Sequence, residues 1–120
     1  MEKLSKAEQD ELIAEEIERW AGIFSELSDE KKAAASRLIE RVAFMTVTLS
    51  ILEEDVKEKG PTYLFINGSQ EMYVENPSQK SYNTMINRYT AACDKLFNLL
   101  PKEVVDDAKE KTKRTGNDLI

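Results

Sequence analysis

The chain has no histidine and one cysteine, Cys93. Without an imidazole there is no Ser-His or Cys-His nucleophile pair and no His-bearing zinc site, and one thiol supplies neither a thiolate cluster nor an internal disulfide. Its four glycines, Gly22, Gly60, Gly68 and Gly116, are scattered, and none opens a phosphate-binding loop that runs into Lys-Ser or Lys-Thr. No stretch approaches the roughly 20 apolar residues of a membrane span, and no secretory leader is read at the N-terminus. The setting expected is a reducing cytosol. Positive charge is also scarce: 17 Lys and Arg stand against 23 Asp and Glu, a formal net charge of -6. General attraction to polyanions is disfavoured, so any nucleic-acid contact has to come from a local basic patch. The paired carboxylates Glu15-Glu16, Glu53-Glu54 and Asp106-Asp107 occupy adjacent positions, which point in different directions on a helix. They read as solvated faces. No catalytic residue, cofactor or metal is expected.

What the chain does have is heptad spacing. One stripe comprises Ala35, Leu38, Val42, Met45, Leu49, Leu52 and Val56; another comprises Tyr82, Met85, Tyr89, Ala92, Leu96 and Leu99. Steps of three and four residues keep a narrow apolar seam turned toward one partner, as in coiled coils and antiparallel bundles. The seam residues Leu38, Val42, Met45, Leu49, Leu52, Tyr82, Met85, Tyr89 and Leu96 are therefore expected to pack helix on helix within the chain, or subunit on subunit. At 120 residues there is room for one modest core.

Local signals divide the chain into three parts. Residues 1–28 read as an acidic amphipathic helix, opened by the capping box Ser5-Lys6-Ala7-Glu8 and carrying Ile13, Ile17, Trp20, Phe24 and Leu27 on one face, with Leu12 and Ile23 widening it. They hold eight Asp or Glu against three Lys or Arg. Gly22 within this pattern marks a weak point or a close helix contact. Residues 29–101 read as helix, β-hairpin, helix, the core and oligomerisation unit. Ser28 caps a helix running from about Asp29 to Lys59, stopped by Gly60-Pro61. At 1.5 Å per residue it is roughly 45 Å long, which suggests that neighbouring subunits cover part of it. Thr62–Ile66 and Glu71–Glu75 flank Asn67-Gly68-Ser69-Gln70, a hairpin signal with a two- or four-residue loop and type I′ geometry. Such a hairpin is marginal alone, so it should lie on the helices or on an adjacent subunit. Asn76 caps the last helix, with Pro77 at its first position and Gln79 as capping-box partner, and Leu99-Leu100-Pro101 ends it. Residues 102–120 read as a polar tail, expected to be flexible. The fold class expected is mainly α, an antiparallel helical hairpin or bundle with an inserted β-hairpin.

Basic side chains gather in two places. Lys31, Lys32, Arg37 and Arg41 lie in the first half of the second helix, and Lys109, Lys111, Lys113 and Arg114 in the tail. In a monomer either set is a solvated surface, whereas repetition around a ring makes phosphate contacts add through counterion release. Trp20, Tyr63, Phe65, Tyr73, Tyr82 and Tyr89 are read as packing residues rather than base-stacking platforms. No helix-turn-helix signature is visible.

Between Glu40 and Lys102 the order of elements resembles a known family. A long helix carries Ala43-Phe44-Met45, Thr48-Leu49 and the acidic run Glu53-Glu54-Asp55. It exits at Gly60-Pro61-Thr62-Tyr63 and is followed by Asn67-Gly68, Asn76-Pro77, the string Tyr82-Asn83-Thr84-Met85-Ile86, and Leu99-Leu100-Pro101. This resembles the small terminase subunits of tailed phages, of the short type common in phages and prophages of Gram-positive bacteria. The resemblance implies a non-catalytic DNA-recognition and regulatory component of a genome-packaging motor, in the bacterial host cytoplasm. It further implies a homo-oligomeric ring that meets double-stranded viral DNA and a large terminase subunit. The acidic first helix is not what a DNA-binding arm looks like, so the alternative is a coiled-coil scaffold or adaptor of phage assembly that does not bind DNA.

Overall fold

The computed structural model describes residues 4–101. Its elements are α1 (Lys6–Ile23), α2 (Asp29–Lys59), β1 (Thr62–Asn67), β2 (Gln70–Glu75) and α3 (Pro77–Phe97). The fold is mainly helical with one inserted hairpin. The polar tail, with Lys109, Lys111, Lys113 and Arg114, lies outside the described residues.

Each helix starts where its cap requires. The Ser5 hydroxyl accepts from Glu8 N at 3.1 Å and the Glu8 carboxylate accepts from Ser5 N at 3.5 Å, closing the capping box. Ser28 Oγ accepts from Lys31 N at 3.3 Å, and Asn76 Oδ1 accepts from Ser78 N at 2.9 Å with Pro77 behind it. Gln79 does not complete a second box; its amide instead donates to Asn83 Oδ1 one turn on, at 2.8 Å. α1 stops at Ile23, so Gly22 lies at a helix end, and a Cβ there would meet nothing within 4 Å. It marks a weak point and no close contact. α3 stops at Phe97, two residues ahead of the Leu99-Leu100-Pro101 signal.

Both α1 and α3 run antiparallel to α2 and flank it. At one end Trp20, Phe24, Ala35, Ile39, Val42, Ala92, Leu96 and Leu100 form the buried core, and the Trp20 and Phe97 rings lie 5.5 Å apart, tilted by 55°. At the other end Leu4 shares a groove with Ser50, Leu52 and Asp55 of α2 and with Pro77 of α3. Midway, Thr46 Oγ1 donates to the Val42 carbonyl at 2.9 Å and lies 3.2 Å from the Tyr89 hydroxyl. The seams are thus largely spent inside the chain. Val42, Leu49 and Leu96 are buried, while Leu38, Met45, Leu52, Tyr82, Met85 and Tyr89 are half-buried. Because α2 has a neighbour on each of two sides, its buried set is wider than one seam and adds Ile39, Ala43 and Val47. Most of its length is covered by its own chain, without a neighbouring subunit.

The hairpin differs from its expected form in one respect. Asn67 pairs with Gln70, so both belong to the strands and the loop is Gly68-Ser69 alone. Gly68 has φ +64°, and among the described residues no non-glycine has positive φ. Positive φ at only the first central residue is the type II′ pattern, in place of type I′. The register sets which side chains stand opposite one another, Tyr63 with Val74, Leu64 with Tyr73 and Phe65 with Met72. Tyr63, Phe65, Met72 and Val74 lie on one side, Leu64, Ile66 and Tyr73 on the other.

Candidate functional site

Two surfaces stand out, and the first is the hairpin. It is apolar on both faces, yet Leu64, Phe65, Ile66, Met72 and Tyr73 are all exposed, Tyr73 at 77%. Only Tyr63 and Val74, near the base, are half-buried. The hairpin does not lie along the bundle; its strands pack chiefly on each other. Its two strands pair only with each other, so each has an open edge, and β1 (TYLFIN) carries no charge to blunt that edge.

The base of the hairpin is built differently. Asn76, 2% exposed, donates from Nδ2 to the Gly60 carbonyl at 3.0 Å and from its backbone N–H to the Pro61 carbonyl at 2.8 Å. With its cap on Ser78 N, one residue therefore joins the end of α2, both feet of the hairpin and the start of α3. Gly60 adopts φ +88°, ψ 165°, backbone space open essentially to glycine alone. A Cβ there would stand 3.1 Å from the Thr62 carbonyl oxygen. Asp55 completes the cluster. A hydrogen bond from Ser78, then the neighbouring Lys59 and Asn76, hold its carboxyl below the usual range against partial burial; Lys59 Nζ lies 3.2 Å away. Sequence reasoning saw Asn76 only as a cap. The closing partner, Gly60, is 16 residues earlier, and no local pattern reports that distance.

The second surface is the exposed part of the first half of α2. Lys31, Lys32, Arg37 and Arg41 are all exposed, and none has an ion-pair partner among the described residues. The four share the first half of α2 but not one side of it: Arg37 and Arg41 face outward, while Lys31 and Lys32 stand at its start on other sides, where Asp29 and Glu30 in the first turn offset them. Beside the arginines stands Phe44, 51% exposed.

Other titratable groups serve packing. Burial pushes the Cys93 thiol and the Tyr89 hydroxyl up from their ordinary values, which keeps the thiol protonated and unreactive. Tyr82 is raised by burial and then by the nearby Glu53 carboxylate. Among the described residues no three His, Cys, Asp or Glu side chains come together to hold a metal, and no helix is long and apolar enough to cross a membrane. No protein-family profile, curated protein or solved structure matches the chain.

Proposed function

We propose that the protein is a non-catalytic small terminase subunit, a self-associating DNA-recognition and regulatory component of a phage genome-packaging motor that works with a large terminase subunit. The observation that carries the reading is the hairpin, with two apolar faces, two open edges and no helix covering its outer half. A two-stranded sheet of this kind is marginal in water by itself, so contacts from further copies supply what the bundle does not. The exposed Lys31 and Lys32 at the start of α2 give such an assembly a repeated set of phosphate contacts, which a single acidic subunit lacks. The order of elements that prompted the resemblance supports the same assignment.

The test is a titration of double-stranded DNA at two salt concentrations with the assembled protein. Affinity should fall steeply with salt, and Lys31→Glu with Lys32→Glu should weaken binding and flatten that dependence, since fewer counterions are released. Truncation before Lys109 measures the share of the tail. The acidic α1 and the net charge of -6 favour a second reading, a phage-assembly scaffold that binds no DNA. Self-association without DNA affinity at low salt, with the large subunit present, would establish that alternative.

A further inference from the structure

Apart from the hairpin, only two large apolar side chains are exposed among the described residues, Leu12 on α1 and Phe44 on α2. Their surroundings carry opposite charge. Phe44 follows Arg41 by three residues and Arg37 by seven, whereas Leu12 precedes Glu15 by three and Glu18 by six. All four charged side chains are exposed, and none has an ion-pair partner among the described residues. Set antiparallel, the two faces match in order: Phe44 against Leu12, Arg41 against Glu15, Arg37 against Glu18. Within one chain the pairs cannot meet, because α1 turns its Trp20 and Phe24 face to α2 and α2 turns its Ala35, Ile39 and Val42 face to the bundle.

We propose that the outward face of α2 around Phe44 docks on the outward face of α1 around Leu12 in a second copy of the chain. This deepens the self-associating reading above and rests on it. Three features select a second copy as the occupant. Charge complementarity is the first. The second is direction: α1 and α2 are antiparallel within a chain, so an antiparallel contact between copies leaves all copies pointing the same way. The third is level. Leu4 lies beside Ser50 and Leu52, and Trp20 packs with Ile39, so Leu12, midway between Leu4 and Trp20, stands near the height of Phe44. A heterologous contact between patches at equal height adds rotation with little rise, and such contacts close into rings rather than climb into filaments. Arg37 and Arg41 then serve the neighbouring subunit, and Lys31 and Lys32 at the start of α2 remain for phosphate.

The experiment is a charge swap read by the mass of the assembly in light scattering across a concentration series, with far-UV circular dichroism to verify folding. Arg37→Glu with Arg41→Glu, and separately Glu15→Lys with Glu18→Lys, should each raise the concentration needed for assembly by on the order of a hundredfold. The chain carrying all four changes should assemble again, and so should an equimolar mixture of the two double variants. Phe44→Ser, at an exposed position, should weaken assembly while leaving the fold intact. Assembly that persists in both double variants, failure of the four-fold variant to recover, or a wild type that stays monomeric throughout would overturn the contact. The DNA titration is independent of this outcome. An assembly that ignores the swap yet binds DNA overturns the contact alone, and one that obeys the swap but binds no DNA overturns the DNA role alone.

Discussion

At the scale of single residues, the most consequential side chain is Asn76, legible in the sequence only as a cap followed by proline. Its second role leaves no local pattern, because the Gly60 carbonyl it binds is near in space and remote in the chain. Asn76→Ala leaves that carbonyl and the Ser78 N–H without partners in a buried place, and should cost about 2–4 kcal/mol in urea unfolding; a loss under half a unit would show the clamp to be idle. Trp20 poses the opposite case. Its indole N–H is buried with no acceptor among the described residues, so Trp20→Phe removes an uncompensated donor along with some ring volume. The two effects oppose each other, and the variant should lose less than about 1.5 kcal/mol, against about 3–5 for Trp20→Ala. Asp55 sets a pH dependence. Its folded pKa is depressed, so its contribution is present above the unfolded value of about 3.9 and is lost as pH falls from there through the folded value. Asp55→Asn should therefore flatten the acid limb of the melting curve below about pH 4. Parallel wild-type and variant limbs in thermal melts would remove that role.

At the scale of elements, caps and breakers were the readable part, because they act within one turn. Ser5, Ser28, Gly60 and Asn76 each bound a helix as their chemistry demands. The heptad stripes were half right for a physical reason. A seven-residue seam assumes one partner, and α2 has two, so Ile39, Ala43 and Val47 are buried although they lie off the seam. Leu49→Asp should accordingly unfold the chain rather than dissolve an assembly, since Leu49 is already covered from within. In the hairpin the flanking runs located the turn, and what differs is its type, II′ in place of I′. The type II′ loop discriminates sharply. Asn tolerates the left-handed region that a type I′ turn requires, but not the first position of type II′, where glycine is needed. Gly68→Asn should thus lower hairpin stability by about 1 kcal/mol or more, with Ser69→Ala nearly silent. Cross-strand proton contacts between Leu64 and Tyr73 would report it, and undiminished contacts in Gly68→Asn would return the turn to type I′.

At the scale of the whole molecule, the fold class was legible, and the surface that makes the protein more than a small bundle was legible only in part. The four basic residues of α2 were named from composition, but their shared exposure with Phe44, and the matching acidic ridge around Leu12, appear only once burial has removed every other large apolar side chain of the helices from consideration. The clamp at the base of the hairpin has a consequence for how the molecule comes apart. Asn76 fastens Gly60 and Pro61 to the start of α3 without using any side chain of the strands, so the twelve strand residues can open while the helices keep their places. In hydrogen exchange the amides of Leu64 to Tyr73 should trade with solvent by local opening, whereas the Asn76 amide, bonded to the Pro61 carbonyl, should wait for the unfolding of the bundle. The hairpin is in that sense a cassette: a tip of different length or sequence can be inserted between the same two feet, and the three-helix frame will still close beneath it.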